Sequence, residues 1–385
     1  MSQKLVRLND RSPLAWLLIL VLIGANVAIF TTLWNLVASS GQAARASSPP
    51  APVLLALPGL APAEATPAPS ATATRVVVYV DTATPTPSPL ATFTPTATPL
   101  PPPPAAAASP TAAAPTRADI RQVVIISIDG LRPDALDLTD TPTLDDLRVR
   151  GAYSPRAQTV PLSITLPSHA SMLTGMTPDK HGIEWGLPYI GWPGMNGPSL
   201  FSVAHEAGLR TGMVFGKDKL HHLVLPNSVD ILVGADLDDG TVESRVVEVI
   251  EAGLPQVLFI HFPDTDRVGH EYGWLSLQQL QAISFVDGLI GEIVAALGQG
   301  GYLDSTLLIV TADHGGHEKS HGDDSPEDRT IPWLAAGPGV RPGTFLTTNI
   351  NTYDTAATAA DALQLELPGN WDGRPVVEIF GGEQN

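Results

Sequence analysis

Hydrophobic and polar positions divide the chain into three regimes. Residues 14–37 carry no charged side chain; as a helix rising about 1.5 Å per residue, the run would reach roughly 36 Å, enough to cross a bilayer. Residues 39–117 show no periodic pattern. From residue 118 onward, short continuous apolar runs alternate with stretches of helical spacing. QVVIISI at 122–128, VLFIHF at 257–262 and TLLIVTA at 306–312 read as strands buried on both faces, and TGMVF at 211–215 as a further strand. Helices are predicted over 141–150, 165–175, 200–207, 244–251 and 276–297. The last places Leu277, Leu280, Ile283, Val286, Ile290, Ile293 and Leu297 on one stripe. Alternation of this kind predicts an α/β domain: a doubly wound, largely parallel central sheet with helices on both faces.

Charge and composition then assign the first two regimes. Lys4, Arg7 and Arg11 precede the apolar run, and Trp16 and Trp34 lie near its ends. This is the pattern of a cytoplasmic tail (1–12) and a transmembrane signal-anchor helix (13–38). The run is longer than the apolar core of a cleaved signal peptide, for which Ala38, Ser39 and Ser40 would supply the cleavage site, so an uncleaved anchor is expected. Everything beyond it is then extracytoplasmic, in a single-pass cell-membrane arrangement. Residues 39–117 are dominated by Pro, Ala, Thr and Ser and hold about half of the chain's 37 prolines. Such a segment cannot bury enough apolar surface to offset its ordering entropy and reads as a disordered stalk, with RVVVYV at 75–80 its one stretch of strand composition. One folded domain is expected over 118–385. A net charge of −18 argues against a nucleic-acid polymer as partner. With no cysteine in the chain, His, Asp and Glu are left as metal ligands.

The chemistry gathers at strand ends. Asp129 follows the first buried strand, Asp264 and Asp266 the second, and Asp313 the third. In a doubly wound sheet these carboxyl ends lie along one edge, so the side chains can converge. A single Asp after a strand is ordinary turn chemistry. Here, however, Asp266 and His270 sit four apart in DRVGH, Asp313 and His314 are adjacent, and His317 and His321 follow in TADHGGHEKSH. Carboxylate and imidazole without sulfur suit zinc first, then manganese or iron. Several carboxylates in one place need cations to stay ionised together, so two divalent ions are expected. A two-metal site suits hydrolysis at phosphorus and needs a nucleophile. Thr165, at the start of a helix, is the candidate, with an ordinary N-cap as the alternative. Lys217 and Lys219 in GKDKLHHL stand as phosphate contacts or as part of a solvated face.

The phrases ISIDGLRPD, TLPSHASMLTGMTPDKHGI, PDTDRVGHEYG and TADHGGHEKSHG occur in that order. Together they resemble the alkaline phosphatase superfamily, and most of all its type I phosphodiesterase/nucleotide pyrophosphatase family, from about residue 122 to 377. The resemblance implies an alkaline phosphatase-like fold and a metal-dependent phosphoric ester hydrolase. On it, Asp129, Thr165, Asp313 and His314 match the ligand set of one zinc, with Thr165 as the nucleophile that becomes transiently phosphorylated. Asp266 and His270 match two ligands of a second zinc. His321 fits its third position better than His317, and Asp266 is preferred to Asp264 because the motif's Asp-to-His spacing is four. Sulfatases share the phrase around Pro167 and Ser168 but differ at the positions of Thr165 and His169. A phosphoryl-binding Asn is expected shortly after HGI, where this chain has Gly186; Gly186 and Lys217 are therefore the substrate-contact positions. The implied substrates are small phosphorylated molecules: diesters, pyrophosphates, nucleotides or phospho-head-groups. Phosphomonoesters and phosphonates are the alternative, and a non-catalytic, metal-stabilised surface module is the reading from a different class.

Overall fold

A computed structural model describes residues 116–187 and 194–380. The expected tail, anchor and stalk, apart from the stalk's last two residues, lie outside the described residues. In chain order the elements are β1 (Gln122–Ile128), α1 (Pro142–Arg150), β2 (Ala152–Gln158), α2 (Thr165–Thr174), α3 (Pro178–His181), α4 (Leu200–Glu206), β3 (Thr211–Phe215), β4 (Ile231–Gly234) and α5 (Asp239–Gly253). There follow β5 (Val257–Phe262), α6 (Asp264–Tyr272), α7 (Leu277–Gln299), β6 (Thr306–Thr311), α8 (Pro326–Arg329), β7 (Thr330–Ala336), β8 (Thr344–Phe345) and α9 (Asp354–Ala362).

The strands form an eight-stranded sheet in the order β4-β3-β5-β1-β6-β7-β2-β8. All pairings are parallel except those of β7, which runs against both β6 and β2. The three strands read as doubly buried, β5, β1 and β6, are neighbours at the centre, with Ser127 in register with both His261 and Thr311. Their apolar residues are buried because helices cover the sheet in two groups. Helix α7 packs against both α1 and α5, and α2, α4 and α9 form the other group. The expected α/β architecture is thus realised, and the acid-bearing ends of three adjacent strands share one edge.

Several elements differ from the expectations, each for a physical reason. Strands β2 and β7 carry Pro155 and Pro332, which weaken a strand reading. The ladder shifts register between Ser154 and Ala157, opposite Ile331 and Trp333, so both prolines fall where no regular ladder N–H is needed. Helix α5 begins five residues before its predicted start, because Asp238 caps it by accepting from Thr241 N. In α7 the stripe holds from Ile283 to Leu297, but Leu277 is 67% exposed. That helix is long and apolar enough to cross a membrane by composition. Its buried stripe and its contacts with α1, α5 and α6 account for that character as core packing. Asp287 on the same helix accepts from Thr143 N and Leu144 N and so caps α1 from outside.

Candidate active site

The centre is built from the three strand ends. β1 runs into Asp129, and the chain turns at Gly130, whose φ of 73° suits glycine. Gly130 N donates to Asp313 Oδ1, tying the ends of β1 and β6 together. After β5 the chain enters α6 at once, placing Asp266 in the first turn and His270 one turn later on the same face. The segment after β6 carries Asp313, His314 and then a loop, 315–322, that returns His321 to the same place. Asp328 anchors this loop by accepting from His317 and from Asp323 N.

Three imidazoles are oriented alike. Nδ1 of His314 faces Gly315 O at 2.8 Å, Nδ1 of His321 faces Ser163 O at 2.9 Å, and Nδ1 of His270 faces Lys319 O at 2.9 Å. A nitrogen facing a carbonyl carries the proton, so Nε2 is left as a lone pair pointing inward. Burial lowers the pKa of His314, and burial followed by the neighbouring His314 lowers His321 to about 4. Both are therefore neutral acceptors at physiological pH. Yet His314 Nε2 lies 3.3 Å from Asp129 Oδ1 and 3.3 Å from Asp313 Oδ2. His321 Nε2 and His270 Nε2 lie 3.5 and 3.4 Å from Asp266 Oδ1. The contacts of the neutral His314 with Asp129 and of the neutral His321 with Asp266 are between acceptors, which repel unless a cation stands among them.

At this centre five buried atoms have no hydrogen-bond partner among the described residues: Asp129 Oδ1, Asp266 Oδ1, Asp313 Oδ2, His314 Nε2 and Thr165 Oγ1. A bare buried acceptor costs about 1–3 kcal/mol, so a cluster of them is explained by ligands rather than by packing. At the centre the ligand-capable atoms fall into two sets sharing His314: Asp129, Asp313 and His314, and Asp266, His314 and His321; a third group, His317, Asp323 and Asp328, shares no residue with them. His270, against Asp266, extends the second. The residues thus fit two divalent cations, with the oxygen and nitrogen donors that zinc accepts.

Thr165 is the first residue of α2, buried, and the cap position before it is Ile164. Its hydroxyl does not act as a cap. His169 Nδ1 accepts no proton here but donates to Thr165 O at 2.8 Å and lies 3.4 Å from Asp313 Oδ2, so α2 is held against the first ligand set. Ser163 O, two residues earlier, meets His321. Thr165 therefore sits between the segments that carry both sets.

The structure separates the rival residues. Asp264 accepts from Asp239 N and pairs with Arg267, reciprocally capping α5 and α6 away from the site. His317 pairs with Asp328 at 2.7 Å. Gly186 is half-buried, and a Cβ there would meet only Ile164 Cδ1, at 3.6 Å. Lys217 Nζ is placed 2.7 Å from Asp129 Oδ2 and 2.5 Å from Asp266 Oδ2, bridging the two sets through the oxygens they do not turn inward. Burial opposes the charge on Lys217, but these carboxylates raise its pKa. For Asp129, burial likewise acts upward, yet Lys217 and the bond from His261 hold its carboxyl well below the usual range. Asp313 is raised to about 7 by burial and by Asp129.

Two residues escaped sequence reasoning. His261 on β5 receives Gly216 N on Nδ1, so its Nε2 carries the proton and donates to Asp129 Oδ2 at 2.8 Å. His169, lowered to about 4 by burial, accepts from Ser127 Oγ on Nε2. A polar residue inside an apolar strand run was the available signal for His261.

The sequence model of a family described as type I phosphodiesterase / nucleotide pyrophosphatase matches residues 123–184 and 197–333. The chain is 25% identical over 228 residues to ectonucleotide pyrophosphatase/phosphodiesterase family member 3 of Bos taurus, covering 52% of this chain and 25% of that one. It is 24% identical over 232 residues to family member 7 of Homo sapiens, covering 54% and 51%. The matches thus span between about a quarter and a half of these relatives' length. Murine ectonucleotide pyrophosphatase/phosphodiesterase 5, solved in complex with AMP, has a TM-score of 0.56 at 16% identity, over 64% of this chain and 96% of that one. At that identity the likeness is one of fold.

Proposed function

Because the chain belongs to the type I phosphodiesterase / nucleotide pyrophosphatase family, we propose that it hydrolyses phosphodiester or pyrophosphate bonds through a phosphothreonine at Thr165. The observations that support this reading are the bare carboxylate oxygens and imidazole lone pair of two adjoining ligand sets, and the bare, buried hydroxyl of Thr165, whose own carbonyl is bonded to His169 against Asp313. Asp129, Thr165, Asp313 and His314 would hold one divalent cation, and Asp266, His270 and His321 a second, with zinc foremost. Bound there, such ions supply positive charge that favours the alkoxide of the attacking hydroxyl and offsets charge on the leaving oxygen.

The chain's own residues do the rest. Thr165 Oγ1 attacks phosphorus as the bond to the leaving group's oxygen breaks. The first N–H groups of α2 have no helical acceptor and favour the phosphoryl oxygens. Water then attacks the same phosphorus, releasing the phosphorylated product and restoring the hydroxyl. Nucleotides, other diesters and phospho-head-groups are the substrate class. The same reading tethers the domain outside the cytoplasm through residues 13–38 on a stalk over 39–117. Protease added to intact cells should then release active enzyme.

Hydrolysis of bis-p-nitrophenyl phosphate, restored by zinc after EDTA treatment, tests the proposal. Thr165→Ala should abolish turnover while about two zinc ions per chain remain; retained turnover would remove Thr165 from its role. Faster hydrolysis of p-nitrophenyl phosphate or a phosphonate ester would favour the second reading. A zinc-loaded protein inactive on all of them would be a display module.

A further inference from the structure

The geometry points to Trp274 as a positioning residue that sets the separation of the two ligand sets; this inference rests on the two-cation reading above. Trp274 lies in the turn between α6 and α7, flanked by Gly273 at φ 103° and Leu275 at φ 61°. The latter is a left-handed value that a branched residue adopts only under constraint from its surroundings. Trp274 is 8% exposed and contributes no ligand atom.

Three of the segments that carry the proposed ligands each present a glycine to this one indole. A Cβ on Gly130, next to Asp129, would lie 3.2 Å from Trp274 Cζ2. On Gly269, next to His270, it would lie 3.0 Å from Cδ2 and Cε2, and on Gly316, two residues after His314, 2.2 Å from Cε2. Backbone thus approaches the ring closely at all three glycines, and at Gly316 at a distance that no Cβ tolerates.

The polar contacts join the same segments. Trp274 Nε1 donates to Gly130 O at 2.8 Å, on the side of the first set. Its backbone N donates to Glu318 O at 2.7 Å, in the loop that delivers His321. The indole also meets His270 edge-on at 5.2 Å and His321 at 5.8 Å between ring centroids. One rigid ring therefore spaces Asp129 from the His270–His321 pair. Ligand sites tolerate about 0.5 Å of displacement, less than the change from indole to phenyl.

Trp274→Phe removes the N–H bond and the outer edge of the ring. In the full chain it should weaken the second zinc ion by roughly 10–100-fold, the range for outer supports of metal ligands. Dialysis against limiting zinc should then leave about one ion per chain instead of about two. The value of kcat should fall more than KM rises. Gly316→Ala crowds the ring, its Cβ falling 2.2 Å from Cε2, and should lose zinc likewise. In the double variant the added methyl enters space the smaller ring vacates, so zinc content should fall no further than in either single variant. A folded Trp274→Phe protein with two tightly held ions and unchanged kcat overturns the inference alone. If that variant fails to fold, Gly316→Ala decides, and unchanged zinc affinity there is equally fatal. A wild-type protein that binds no zinc pair and cleaves no phosphoester overturns the functional reading and this inference with it.

Discussion

Replacing Lys217 by Met removes one positive charge from the centre and keeps most of the side chain's volume. The ammonium lies 2.7 Å from Asp129 and 2.5 Å from Asp266, with side-chain exposures of 11%, 0% and 4% in that order. Removing one member of a buried ion pair costs about 3–5 kcal/mol, because the partner is left charged and desolvated. In a domain of this size each kcal/mol moves Tm by about 2–4 °C, so a fall of roughly 6–20 °C is expected in EDTA at pH 7.5. Zinc should recover most of it, since bound cations compensate the same carboxylates, and the variant should gain more from zinc than the wild type does. The pH dependence has a definite sign. The folded pKa of Asp129 is held below its unfolded value, so its stabilisation is present above about pH 4 and is lost as pH falls through the folded value. Lys217 is a principal cause of that depression, so the gap between variant and wild type should narrow toward acid. Thermal melts followed by circular dichroism, in EDTA and in zinc, measure all of this. A variant melting within about 2 °C of the wild type in EDTA at neutral pH would show that the Lys217 bridge carries no stability.

His261→Phe keeps the ring and deletes the donor to Asp129 Oδ2, so zinc affinity should drop by roughly 10–100-fold in a chelator competition, with little change in Tm. Equal affinity would mean that Asp129 holds its orientation unaided. Asp239 is buried with Oδ2 bare, and its pKa is raised well above normal by burial and by Asp264. A raised carboxyl stabilises the fold at low pH and loses that contribution as pH climbs above the unfolded value near 4. Asp239→Asn keeps the acceptor for Asp264 N and should stabilise the domain by about 1 kcal/mol at pH 7.5. The gain should vanish near pH 4, and a loss at neutral pH in denaturant titrations would contradict the assignment.

Much of the centre was legible along the chain. Continuous apolar runs identify β1, β5 and β6 because a strand covered on both faces needs no polar residue. An acid after each run locates the edge where the side chains meet. The four-residue step from Asp266 to His270 is one helical turn, so their shared face follows from local geometry. Strand β2 was harder to read because its proline is admitted by a bulge against β7, a property of the pair of strands and not of either alone.

What the sequence determined by itself was the inventory: an α/β domain, candidate oxygen and nitrogen ligands without sulfur, and the strand ends that carry them. Tertiary structure decided which atoms of those residues are free. Asp129 Oδ1 is available because His261, 132 positions away, and Lys217 occupy Oδ2. Asp264 is excluded because Asp239 and Arg267, brought beside it by the fold, already use it. Periodicity reports the face on which a side chain lies, whereas the commitment of each lone pair is set by groups distant in sequence, and only folding brings those together.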